Sequence, residues 1–131
     1  MLLRPALEPF DPWFATTNGE LAERDAVARM IVLPDSNRHR PLMTLRCITR
    51  ALRMIRQLRP DLVISTGALP GLVCVVIGRL YGARAIWVDS IANSETSSLS
   101  GRLAGTVADL WLTQWQHLAQ EGGPEFRGAL L

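Results

Sequence analysis

Residues 59–71 read RPDLVISTGALPG, a short apolar run that stops abruptly at small residues. Asp61 to Ser65 is rich in β-branched side chains, opens after Pro60 and ends at Thr66 and Gly67, which predicts a buried strand. Pro70 stands where the first turn of a helix tolerates a missing N–H, and Leu72 to Leu80 supplies an apolar helical body ahead of Tyr81 and Gly82. A strand therefore passes through a small-residue loop into a helix. Gly67 can take a positive φ and admit a ligand to the backbone, while the N–H groups of the first helical turn lack intrahelical acceptors. Ser65, Thr66, Gly67, Ala68 and Gly71 thus form a candidate anion-receiving loop. The same residues also suit tight strand-to-helix packing with no ligand, and the motif alone does not choose between the two.

Similar units lie on either side. Residues 1–8 read as a helical fragment stopped by Pro9 or Pro12, and Trp13–Thr17 as a strand closed by Asn18-Gly19. Glu20–Val27 has helix-forming composition, and Met30–Leu33 is a short strand ending at Pro34. After the central unit, Ala83–Asp89 (the run RAIWVD) is a strand. Ser98 or Ser100 then offers an N-cap for a helix over Leu99–Val107. Ala108–Thr113 makes a last strand, followed by Gln114-Trp115, a short helical turn and a loose tail over residues 121–131 that is a possible partner contact. Strands near residues 14, 31, 63, 86 and 111 alternating with helices predict an α/β domain. Its sheet should be parallel and Rossmann-like, with helices on both faces.

The chain has 131 residues, 48% of them hydrophobic, which suits one domain with one core. Its net charge of +2 gives no overall case for nucleic acid. Cys47 and Cys74 sit in apolar helical surroundings and read as buried thiols. With His39 and His117 they make no metal-ligand spacing. The apolar stretch Leu62–Gly78 is interrupted by Pro70 and the loop glycines, so it is not a spanning helix, and the first ten residues lack a secretory pattern.

All fourteen basic residues are arginine, and seven of them fall between Asp35 and Asp61 with no acid among them. In that region, residues 41–58 carry the strongest helical period. Leu45, Ile48, Leu52, Ile55 and Leu58 mark a face to be packed on a sheet, while Arg46, Arg50, Arg53 and Arg56 mostly fall elsewhere. The basic face is either a solvated exterior or a surface for anionic lipid head groups.

In an open parallel sheet, ligands bind beyond the carboxyl ends of the strands. Those ends are Ser65 to Gly67, Asp89 with Ser90, and Gln114 with Trp115. Asp89 is the one carboxylate among them. It either accepts a proton or a hydroxyl hydrogen bond from a substrate, or orients its own loop through Ser90 or Asn93. G-x-S-x-G, G-x-x-x-x-G-K-[ST] and G-x-G-x-x-G are all absent, which removes support for hydrolase, P-loop and simple dinucleotide readings. Trp87 and Trp111 read as core residues, with Trp115 beside Gln114 as the exception.

STGALPG after RPD, then VDSIAN, SLSGRL and ADLWLTQW, in that order, resemble the oligosaccharide-biosynthesis proteins of the bacterial PssD and EpsE type. Their eukaryotic counterpart is the membrane-anchoring subunit of a split UDP-GlcNAc transferase. The similarity runs from about Trp13 to the C-terminus. It implies the acceptor-side half of a GT-B glycosyltransferase, similar to the N-terminal domain of MurG. On that likeness a separate catalytic subunit binds the UDP-sugar, and this chain binds no cofactor of its own and is inactive alone. The acceptor would be a polyprenyl-diphosphate-linked saccharide at the cytoplasmic face of the membrane.

By the same resemblance, Ser65, Thr66, Gly67, Ala68 and Gly71 receive the acceptor diphosphate. Ser90, Asn93, Ser98, Ser100, Gln114 and Trp115 line the cleft, and Arg46, Arg50 and Arg53 meet the anionic membrane surface. Asp89 falls where the family carries an acidic residue, usually Glu, so its reach is one methylene shorter. The family also opens with a strand and a turn of the form G-G-G-H that is not present here. In the 3-2-1-4-5 strand order that strand lies between those near residues 14 and 63, so a longer upstream start or a truncated copy is expected. The alternative function is a non-catalytic Rossmann-like module that binds a protein or an anion.

Overall fold

The computed structural model describes residues 4–20, 29–36 and 39–129. In chain order it contains α1 (Arg4–Leu7), β1 (Phe14–Thr16), β2 (Met30–Val32), α2 (Pro41–Leu58), β3 (Leu62–Ser65), α3 (Ala68–Leu80), β4 (Arg84–Val88), α4 (Leu99–Gly105) and β5 (Leu110–Leu112). A single 3-10 turn, Gln116–Leu118, follows. The helix expected over Glu20–Val27 lies almost wholly outside the described residues.

Every described strand pairing is parallel, as the alternation of elements predicts, but the strands form two sheets. β1 pairs with β2, Ala15 opposite Ile31, while β4 lies between β3 and β5 with Ile64, Ile86 and Leu110 in register. Among the described residues nothing pairs β1 with β3. The break falls where the expected order calls for one more strand.

Helices α2, α3 and α4 lie along one face. Leu33, Ala51, Ile55, Cys74 and Ile77 form one apolar cluster with Val63 against it. Leu72, Val75, Ala85, Trp87 and Ala104 form the other. Gly78 lets α3 approach β3, because a Cβ there would press on Val63. On the opposite face no described helix packs against β3, β4 or β5.

This one-sided cover corrects two sequence expectations. β3 is not a buried strand: Leu62 is 40% and Ile64 37% exposed, because among the described residues their face has no covering layer and β3 has a partner strand on one side only. In α2 the period was right and the face right only in part, since Ile55 is buried and Leu58 half-buried as expected. Cys47, Ala51 and Ile55 are the buried positions, while Leu45 is 57% and Leu52 40% exposed, with Ile48 also at the surface. The cause is the packing of α2 on α3 through Ala51 and Ile55 against Cys74 and Ile77, a stripe that leaves Leu45, Ile48 and Leu52 outside it.

The C-terminal segment is tied down as far as Glu125. Thr113 N–H donates to the Glu125 carbonyl and Glu125 N–H to that of Trp111, so this segment runs beside β5 in parallel, and Pro124 is fully buried. Both cysteines are buried and neither is disulfide-bonded. Among the described residues no helix is long and apolar enough to cross a membrane.

Candidate functional site

The turn from β3 into α3 sits at the carboxyl end of β3. Gly67 has a φ of 127° and Ala68 a φ of 63°, a left-handed value that a residue with a Cβ holds only at some cost. No side chain caps α3 and its first turn carries no acid. The Gly67 N–H has a long bond, 3.4 Å, to Ser65 Oγ. Ser65 itself is buried beneath the helix, where Gly71 leaves room that a Cβ would take from the Ser65 hydroxyl. Thr66 is exposed. The arrangement is a short, strained turn with no side-chain cap at the positive end of a helix, which is electrostatically suited to an anion.

Asp89, at the end of β4, is 1% exposed. Trp87 Nε1–H donates to its Oδ1 at 2.9 Å and Trp111 Nε1–H to its Oδ2 at 3.1 Å. Ser98 Oγ lies 3.5 Å from Oδ1 while accepting the Gly101 N–H at 2.9 Å. A Cβ on Gly101 would collide with the Asp89 carboxylate, so α4 sits directly against it. The carboxylate therefore fixes two indoles and the start of α4. Substrate has no open path to it in this arrangement. Strand geometry held the clue to one partner, since Trp87 and Asp89 at i and i+2 share a face.

The loop between β4 and α4 is held at successive carbonyls by residues that follow β5. Gln114 Nε2–H donates to the Asp89 carbonyl at 3.0 Å, and Trp115 Nε1–H to that of Ile91 at 3.0 Å. His117 Nε2 lies 2.6 Å from that of Ser94, a distance that places the hydrogen on Nε2. The Trp115 and His117 rings meet at a tilt, their centroids 5.9 Å apart. Within the loop, Ser90 Oγ accepts the Ala92 N–H and the Ser90 carbonyl accepts the Asn93 N–H. A Cβ on Gly67 would meet that of Ser90, so the turn after β3 and the loop after β4 are adjacent.

Of the expected cleft residues, Ser90, Asn93, Gln114 and Trp115 converge here. Ser98 is the N-cap of α4, and Ser100 lies in its first turn. Arg46, Arg50 and Arg53 stand exposed on α2. Sequence reading passed over Glu95 and Arg102 and weighed His117 only as a metal ligand; all three line a cavity of about 320 Å³ next to this loop. Their separation in sequence hides the grouping; only the return of the chain after β5 brings His117 to Glu95. No group of side chains among the described residues could hold a metal ion.

Three comparisons bear on this architecture. A solved structure, MurG of Acinetobacter baumannii, superposes with a TM-score of 0.68 over 87% of this chain and 36% of that one, at 16% identity. This establishes a shared fold, the MurG-like half of a GT-B architecture. The UDP-N-acetylglucosamine transferase subunit ALG14 of Eremothecium gossypii is 35% identical over 91 residues, 59% of this chain. The chain spans about 40% of that relative's length. Residues 26–130 match the family model described as oligosaccharide biosynthesis protein Alg14 like. That match takes in α2 to β5, the turn after β3, the Asp89 cluster and the latched loop, and this chain belongs to the Alg14-like family of oligosaccharide biosynthesis proteins.

Proposed function

We propose that this chain is the acceptor-binding and partner-recruiting subunit of a two-chain UDP-sugar glycosyltransferase that acts on a lipid-diphosphate-linked saccharide. Family membership and the printed role of the Eremothecium relative support a transferase half. The observation that carries the acceptor role is the uncapped, strained turn at Gly67 and Ala68, at the carboxyl end of β3 and adjacent to Ser90. Its amides would take the acceptor diphosphate, with Ser90, Asn93, Gln114 and Trp115 forming the wall beside it. Asp89 would act as a positioning residue by holding this wall in place, rather than touching substrate.

One Rossmann-like unit offers one wall of a cleft. The UDP-sugar and the second wall would come from a separate catalytic subunit. The chain would work as a peripheral protein on the cytoplasmic face of the membrane. The exposed arginines of α2, together with Leu42 and Leu45 exposed on the same helix, support contact with anionic lipid.

Co-expression with a candidate partner and a transfer assay on a polyprenyl-diphosphate sugar test the proposal. Gly67→Val should abolish transfer while the two chains still co-purify, because a β-branched residue is excluded at φ 127°. Unchanged transfer removes the turn from the acceptor site. A wild-type pair that associates without transferring sugar supports the non-catalytic module instead.

A further inference from the structure

The geometry points to the cavity beside α4 as a subsite for an uncharged sugar ring of the acceptor, an inference that rests on the transferase reading above. Glu95, Arg102, Trp111 and His117 line it, with Thr96 and Ser97. Glu95 and Arg102 bear opposite charges, yet neither side chain has an ion pair or hydrogen bond among the described residues. Their acceptors and donors are open to a ligand, and their charges cancel. A phosphate gains little from such a wall. Sugar hydroxyls gain from both ends of it: a carboxylate accepts from vicinal hydroxyls, and a guanidinium donates to them.

Trp111 supplies the apolar element. Its indole N–H is engaged by Asp89, and its ring occupies the space a Cβ on Gly105 would need, so its orientation is fixed before any ligand arrives. A fixed aromatic wall against the C–H face of a pyranose, with polar groups around it, binds a sugar at low ordering cost. His117, pinned to the Ser94 carbonyl, holds the loop bearing Glu95, Thr96 and Ser97 at the rim of the cavity.

Position agrees with chemistry. The cavity is at the carboxyl ends of β4 and β5, and the latched loop that starts at Ser90, beside Gly67, leads to it. An acceptor with its diphosphate at the turn would extend along this loop toward the cavity. A larger hollow, about 790 Å³, lies at the amino ends of β3 and β4 and is lined by Arg56, Arg59 and Arg84. Its basic lining and its place at the opposite pole suit it poorly to a neutral ring of the same acceptor.

Titration of the full chain with methyl N-acetyl-β-glucosaminide, followed through the Trp111 indole N–H signal by NMR, tests the subsite. A saturable shift is expected at roughly millimolar concentration, weakened about tenfold by Glu95→Gln and by Arg102→Ala. Both residues are exposed, so neither change threatens the fold. Absence of any shift, or an affinity unchanged from wild type in both variants, overturns the subsite. Pyrophosphate forms the second arm: it should shift the Gly67 amide and leave Trp111 unmoved, and a Trp111 response to pyrophosphate alone also overturns the assignment. Failure of the transferase reading looks different, because the wild-type complex then lacks transfer while the glycoside still binds.

Discussion

Two indole N–H groups lose their acceptors when the Asp89 side chain is removed. Each buried donor left unsatisfied costs about 1–3 kcal/mol, so Asp89→Ala should lower the unfolding free energy by roughly 2–5 kcal/mol in a urea melt. Asp89→Asn keeps one acceptor and should lose less. A variant that melts like wild type yet loses transfer would return Asp89 to the chemistry. Cys74 makes a prediction of the opposite kind, about pH. Burial, with the Cys47 thiol adding to it, pushes the Cys74 thiol up from its ordinary 9.0 to about 12. The folded chain thus holds this proton more tightly than the unfolded chain does. The contribution to stability is whole below pH 9 and falls away as the pH climbs toward 12. Urea midpoints measured across this range should fall more steeply for wild type than for Cys74→Ala. A serine cap at Ser98 or Ser100, of which the structure uses Ser98, and the positive φ of Gly67 were legible in sequence, because both act through their nearest neighbours. Asp89's bond to Trp111 was not, since it joins two strands whose register no local pattern records.

At the scale of elements, α2 separates periodicity from packing. Large apolar residues and small ones interleave along it, and the sequence period favours the large set. The buried set is Cys47, Ala51 and Ile55, the stripe that meets α3, where Ala51 and Ile55 pack with Cys74 and Ile77. Leu42 and Leu45 are therefore left at the surface, on a helix that also carries Arg46, Arg50 and Arg53. If this helix meets lipid, each arginine contributes on the order of 1 kcal/mol at an anionic surface, and changing all three to Gln should weaken vesicle binding roughly a hundredfold. Sedimentation with phosphatidylserine-containing and neutral vesicles at low salt gives the answer. Equal binding to both vesicles would leave the arginines as solvated exterior. The helix and its basic face were readable from composition; which stripe would be covered depended on a neighbour that no single-helix pattern contains.

For the whole molecule, the alternation of strands and helices was enough to indicate a parallel α/β unit, since crossover connections impose it. The division into two sheets was legible only through the resemblance, as a strand missing from an expected order. The physical mark of the division is β3, with apolar side chains at the surface and one strand partner. Amide exchange should reflect it. Ala85 to Val88, in the middle strand, should be the slowest to exchange, and Leu62 and Ile64 markedly faster under native conditions. Equal protection of β3 and β4 would mean that β3 has a neighbour on its other side.

On the far margin the situation is reversed. Glu125 already occupies the hydrogen-bonding groups of Trp111 and Thr113, and buried Pro124 fastens it there. Backbone docking by a further polypeptide at Trp111 and Thr113 is blocked, whereas among the described residues nothing pairs with the outer side of β3. Among the described residues, the margin of this sheet left available for lateral growth is therefore that of β3.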